Sequence, residues 1–243
     1  MNALKGQRVV VIGGSSGMGL AVSCAAARAG MRVTIVARDE AKLARAASAA
    51  GHGATTSRLD VRDEKAVAAF FDAQEPIDHL VMSAHASSVV TGAIATLTNM
   101  TVAAAREFMD TKFWGPFTVA KYGQHKLAPT GSMVLFSGAA GARKALPNHT
   151  AIGSTNGAVE AFARQLAKEI APKRVNVIAA GLVRTPAYDG LPADVRERMY
   201  ADYTKTALVG RVGRPEDIAE AVLYLMANSY VTGQVHEIDG GRP

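Results

Sequence analysis

Two periodicities take turns along this chain, and their alternation narrows the fold more than any other feature. Short runs rich in β-branched residues, at 9–12, 33–36, 57–59, 79–82, 133–136, 175–178 and 235–238, read as strands buried on both faces. Ala-rich segments with helical spacing lie between them, at roughly 17–29, 40–50, 64–73, 102–127, 149–170 and 215–227. Such alternation predicts an α/β fold, a doubly wound parallel sheet of seven strands with helices on both faces. No repeat or low-complexity linker divides the chain, so one domain over residues 1–243 is expected. Residues 187–208 break the rhythm with Tyr188, Pro192, Tyr200, Tyr203 and several charges. A helix starting at about Pro192 is expected to form a small lid outside the sheet.

Strand 9–12 runs into Gly13, Gly14, Ser15, Ser16, Gly17, Met18 and Gly19, and then into a helix of small residues. In such a loop the first glycine permits a tight turn. The later ones let the backbone approach a pyrophosphate and let helix pack on strand, while the helix N-terminus offers free N–H groups. The spacing is G-x-x-x-G-x-G, and its place between first strand and first helix is the context a dinucleotide site demands. The alternative is a plain tight turn.

The end of the second strand selects the ribose. An acidic residue there would bond the ribose hydroxyls and repel a 2′-phosphate, whereas Arg38 offers a planar fork suited to phosphate. Ser15 and Ser16 add donors, and Asp39 is expected to cap the helix from Glu40. This favours NADP(H), against Arg38 as an ordinary surface charge. Asp60 ends the third strand, where its carboxylate would accept from an adenine amino group or cap a helix beginning near Arg62. Met18, Val61 and Ala84 complete the expected cofactor contacts.

Composition removes other classes. The 27 basic and 21 acidic residues leave a net charge of +6, but Lys and Arg are scattered and aromatics are only 6%, which argues against nucleic-acid binding. The single Cys24 excludes an internal disulfide and reads as a packed small hydrophobe. No His, Asp or Glu group has metal-ligand spacing, so no metal is expected. No apolar stretch reaches the ~18 residues of a transmembrane helix, and the first strand follows the N-terminus too closely for a signal peptide. A cytoplasmic location without membrane attachment is the expectation.

With these residues in view, the chain resembles the short-chain dehydrogenase/reductase family over essentially its whole length. Ile12–Gly19 is similar to the family's T-G-x-x-x-G-x-G, and residues 175–186 to V-N-x-I-x-P-G-x-x-x-T-P, with Ala180 in place of proline. Residues 210–219, 232–234 and 239–241 match the family's tail. The resemblance implies a Rossmann fold with strand order 3-2-1-4-5-6-7, a nicotinamide cofactor and a small-molecule substrate. It also implies a homodimer or homotetramer through the helices at 102–127 and 149–170. It further implies that the Val183 backbone and the Thr185 hydroxyl hold the nicotinamide carboxamide.

The family's Asn, Ser, Tyr and Lys do not come across. In register the tyrosine is Ile152, the lysine Asn156, the serine Gly138 preceded by Ser137, and the asparagine Lys112. No tyrosine occurs between Tyr122 and Tyr188. A hydrocarbon has no proton to give, and losing a positioned acid costs ~10²–10⁴-fold. Lysine and asparagine look exchanged, so Lys112 would reach the cofactor ribose or a substrate oxyanion from the opposite helix; otherwise it is a structural charge. His149 precedes Ile152 by three and Asn156 by seven, spacings that share a helix face, so it would look into the cleft or be a plain first-turn residue. Ser137 would bind the substrate oxygen if the turn at Gly138 differs, and His85 is a third candidate donor. Two functions remain open: an NADP(H)-dependent oxidoreductase of a small carbonyl or alcohol with a non-standard proton donor, and an NADP(H)-binding sensor or structural subunit without turnover.

Overall fold

The computed structural model describes residues 2–84, 88–89 and 91–242. The first half of the chain builds β1 (Arg8–Ile12), α1 (Gly17–Arg28), β2 (Arg32–Ala37), α2 (Glu40–Ala50), β3 (Thr55–Arg58), α3 (Glu64–Asp72), β4 (Ile77–Met82), α4 (Val102–Met109) and α5 (Gly115–Gly123). The second half adds β5 (Leu127–Gly138), α6 (Ala139–Ala142), α7 (Thr150–Glu169), β6 (Arg174–Ala180), α8 (Ala193–Thr206), α9 (Pro215–Ala227) and β7 (Val235–Ile238). The strands form one parallel sheet in the order β3-β2-β1-β4-β5-β6-β7. That is the doubly wound sheet and the strand order expected.

Successive strand side chains point to opposite faces, so a strand covered on both sides must be apolar at every position. In β1, Val9 and Val11 join Val22, Ala26, Leu43, Ile218 and Leu225 of α1, α2 and α9. Val10 and Ile12 turn the other way, onto Val67, Phe71, Val119, Val159 and Leu166 of α3, α5 and α7. These four strand residues are at most 1% exposed, and each contributes about 1.5–3 kcal/mol by leaving water. The two layers hold the C-terminal ends of β1, β2 and β4 together, where the glycine loop emerges.

Several boundaries differ from expectation, among them β5, which spans Leu127–Gly138 rather than 133–136. β3 covers Thr55–Arg58 rather than 57–59; it is an edge strand with mostly exposed residues, so apolar patterning there was weak. The helix expected over 102–127 is split by a π-helical turn, Asp110–Trp114, and ends at Gly123, with Leu127 opening β5. Pro116 explains the split: it has no N–H for the Lys112 carbonyl four residues back, and its ring excludes that carbonyl. His149 is the N-cap of α7 rather than a first-turn residue, because Asn148 stands in the left-handed region at φ 65°. At the lid segment, α8 begins at Ala193 with Pro192 as its N-cap. No helix among the described residues is long and apolar enough to cross a membrane.

Candidate functional site

The glycine loop lies against the end of β4. Gly13 has φ 82°, and a Cβ there would stand 2.5 Å from the Ala84 amide nitrogen. A Cβ at Gly19 would strike the Gly13 carbonyl and the Ser83 hydroxyl, so only glycine lets α1 start this close to the strands. Ser16 is the N-cap of α1, but its side chain makes no capping bond. That leaves first-turn N–H groups open at a partially positive helix end.

In front of this loop is a cleft of about 310 Å³. Gly13, Ser15, Ser16, Gly17, Met18, Arg38, Asp60, Val61, Ala84 and Thr185 all border it. Val183 borders an adjoining chamber of about 70 Å³, which shares Met18, Thr185 and Ala187 with the cleft. Elements far apart in sequence thus bring the expected cofactor contacts to the cleft and to a neighbouring chamber with three wall residues in common. Sequence reasoning overlooked Lys42, Ser83, Thr111 and Pro186 on its wall. Lys42 carried a readable signal, since it lies in the first turn of the helix that Asp39 caps, close after Arg38.

Electrostatics on the wall favour an anion near Arg38. Asp39 caps α2 as expected: its carboxylate accepts from the Lys42 amide at 2.9 Å, which holds it below the usual carboxylate range. The acid beside Arg38 is therefore turned into the helix end. Asp60 accepts from Arg62, amide and guanidinium, the closest contact being 2.6 Å, and Arg62 keeps it ionised to lower pH. The Arg38 guanidinium is 4.0 Å from Asp60 and 57% exposed. Asp60 does not cap the following helix, because Asp63 does.

The proton-side candidates are arranged differently. Lys112 sits in the π-helical turn, buried, and its Nζ donates to the Ser137 carbonyl at 3.4 Å. Burial pushes its ammonium down to about 8. The Ser137 hydroxyl donates to Glu160 at 3.0 Å, and Glu160 pairs with Arg143 at 3.3 Å. The Ser137 hydroxyl thus points to a carboxylate, where a substrate-oxygen contact was expected. Asn156 donates to the Ala140 carbonyl at 3.1 Å, while its Oδ1 is buried without a hydrogen-bond partner among the described residues. The His149 Nδ1 lies 2.6 Å from the Pro147 carbonyl, so the ring is tied to its own loop rather than looking across from the first helical turn. Ile152 packs with Ala93 and Phe108. His85 lies outside the described residues.

None of Lys112, Ser137, His149 and Asn156 borders the cleft or its chamber. Thr111, the neighbour of Lys112, does border the cleft. Glu160 was missed, although it repeats the spacing of Ile152 and Asn156 along α7. All three are buried, so a carboxylate on that face was readable as a paired one. Among the described residues no group of three His, Cys, Asp or Glu side chains is placed to hold a metal.

The sheet order and the glycine-built cleft at the strands' C-terminal ends define a Rossmann-type α/β protein. Residues 12–242 match the family model described as Enoyl-(Acyl carrier protein) reductase, and the chain belongs to the short-chain dehydrogenase/reductase family. It is 31% identical to the short-chain dehydrogenase/reductase ATR9 of Stachybotrys chlorohalonatus, covering 99% of this chain and 98% of that one. It is 35% identical to cis-4-hydroxycyclohexanecarboxylate dehydrogenase of Sinomonas cyclohexanicum, covering 96% and 94%. Among solved structures, a small-chain dehydrogenase in complex with NADPH superimposes with a TM-score of 0.82 at 34% identity, covering 98% of each chain.

Proposed function

We propose that the protein is an NADP(H)-dependent oxidoreductase that interconverts a small carbonyl compound and its alcohol, with a proton donor other than tyrosine. One observation carries this reading: the cleft gathers the glycine loop, Ser15, Ser16, Arg38 and Thr185 while Asp39 is drawn into a helix cap. A 2′-phosphate then meets Arg38 with Lys42 nearby, the pyrophosphate meets the start of α1, and Asp60, Val61 and Ala84 flank the adenosine. Val183, Thr185 and Met18 flank the nicotinamide. The bound NADPH of a relative 34% identical supports the choice of coenzyme. When bound, the nicotinamide supplies or accepts the hydride.

Within this reading Lys112 is the first candidate for the proton donor, buried next to Thr111, which borders the cleft. An ammonium lowered to about 8 by burial gives up its proton far more readily than a solvated lysine. The orphaned Oδ1 of Asn156, across the turn that follows Ser137, is sealed from solvent and is an acceptor that a buried water would satisfy. His149 is the second candidate. Ser137 acts indirectly, by holding the strand end against Glu160.

A second reading is favoured by a different observation. Ile152 is packed by Ala93 and Phe108, and the candidate donors border neither the cleft nor its chamber. A chain so arranged binds NADP(H) without turnover, as a sensor or structural subunit. Titration with NADPH and NADH, followed by nicotinamide absorbance with a panel of aldehydes and ketones, separates the two. Consumption that falls in Lys112→Ala or His149→Ala supports chemistry and names the donor. Binding without consumption, unchanged in both variants, supports the sensor. Neither reading involves nucleic acid, a membrane or a metal, and we propose with both a cytoplasmic homodimer or homotetramer.

A further inference from the structure

The small chamber holds a side chain that the reading above leaves unused. Tyr188 ends the single 3₁₀ turn Pro186–Tyr188 after Thr185 and borders the chamber with Gly181, Val183 and Thr185. Its ring is set from behind. It stands edge-on to Tyr200, with centroids 6.3 Å apart and planes at 86°, and the Arg184 guanidinium covers the Tyr200 ring at 4.1 Å.

The Tyr188 hydroxyl has no hydrogen-bond partner among the described residues, and it is not one of the sealed orphan atoms, which are Asn156 Oδ1, Arg174 Nε and His236 Nε2. A half-buried phenol usually finds an acceptor. Here water, or a ligand group that displaces it from the chamber, supplies the acceptor. Burial pushes the phenol up to about 12, so it remains a neutral donor at working pH. The chamber opens only small, about 70 Å³, yet it shares Met18, Thr185 and Ala187 with the cleft. It suits a compact polar head on a ligand whose body lies in the cleft.

We propose that the Tyr188 hydroxyl donates a hydrogen bond to the carboxamide oxygen of the coenzyme's nicotinamide, making Tyr188 a binding residue for the reactive end of the dinucleotide. This inference rests on the coenzyme reading above. Val183 and Thr185 share the chamber wall with Tyr188, so all three residues border the space the carboxamide would enter. The edge-on support from α8 couples that contact to the lid segment.

The test is calorimetric titration of wild type and Tyr188→Phe with two ligands: NADP⁺, and adenosine 2′,5′-bisphosphate, which has no nicotinamide. NADP⁺ affinity should fall about fivefold in the variant, the size of one neutral hydrogen bond, with bisphosphate affinity unchanged. Equal NADP⁺ affinity in both proteins overturns the inference, as does an equal loss for both ligands. If wild type binds neither ligand, the coenzyme reading falls and this one falls with it. A second measurement stands if the variant misfolds: acetylation of Tyr188 by N-acetylimidazole, read by peptide mass, should be blocked by NADP⁺ and not by the bisphosphate. Equal labelling in both overturns it.

Discussion

Arg38 and Lys112 are both cations, and their surroundings give them opposite tasks. Arg38 is exposed at the rim, its nearest carboxylate 4.0 Å away and itself engaged by Arg62. It has free donors for a phosphate. We expect Arg38→Ala to weaken NADPH binding by about tenfold, one charge-assisted contact, and to leave NADH binding unchanged. Fluorescence titration at one fixed salt concentration checks this, and an equal loss for both coenzymes would refute the role. Lys112 is buried, with a single long hydrogen bond, to Ser137, among the described residues. Its folded-state value of about 8 lies below the ordinary 10.5. The unfolded chain therefore binds the extra proton between those values, and stability rises with pH through that window. Below about 8 both states are protonated and the full penalty is present. Lys112→Met should accordingly stabilise the fold by about 1–3 kcal/mol at neutral pH. That gain should shrink as pH climbs toward 10.5, measured by urea unfolding at several pH values.

At the scale of elements, the segment from α4 through the π-helical turn to α5 and the helix α7 frame the altered chemistry. Pro116 forces the π-helical turn that carries Lys112 inward. On the facing helix, Ile152, Asn156 and Glu160 share the buried stripe. Glu160 ties that stripe to β5 through Ser137 and to the β5–α7 connection through Arg143. The same connection reaches β7, where Arg143 and Lys144 pair with Glu237 and Asp239. Glu160→Ala leaves the buried Ser137 hydroxyl without its acceptor and takes one of two carboxylates from Arg143, which keeps Glu237. It should cost about 2 kcal/mol in denaturant unfolding, since breaking a buried pair exceeds the value of a surface one. NADPH affinity should hardly change, because Glu160 lines neither the cleft nor the chamber. A large affinity loss would mean that the clamp shapes the cleft after all.

For the whole molecule, the clearest unfinished surface is aromatic. Phe113, Trp114, Phe117 and Phe162 pack edge-to-face or tilted across α5 and α7, with Trp114 50% and Phe117 38% exposed. Contiguous exposed aromatics mark interaction surfaces more often than monomer exteriors. If the chain pairs with its own copy, light scattering should report two or four chains. The emission of the lone tryptophan should shift to the blue as concentration rises. Trp114→Lys should then reduce the assembled mass; a monomer at every concentration would refute the pairing.

Much of this was legible without coordinates because it depends on local periodicity. Two-sided apolar strands such as Val9–Ile12 can only be buried between layers, and Ala-rich segments at helical spacing can only cover them. The glycines of the first loop were readable for the same reason, since a Cβ is excluded wherever backbones touch. Edge strand β3 and the π-helical turn were not legible. One lacks a buried face, and the other follows from a proline acting four residues upstream. The direction of a polar side chain was the least legible of all. Residue types and spacing named Ser137, Lys112, Asn156 and His149, but only packing decided that Ser137 turns to Glu160, that Lys112 loses its water, and that the Tyr188 hydroxyl has no hydrogen-bond partner among the described residues. Which way a hydroxyl or an ammonium faces depends on partners brought from distant parts of the chain, and those contacts exist only after the layers close.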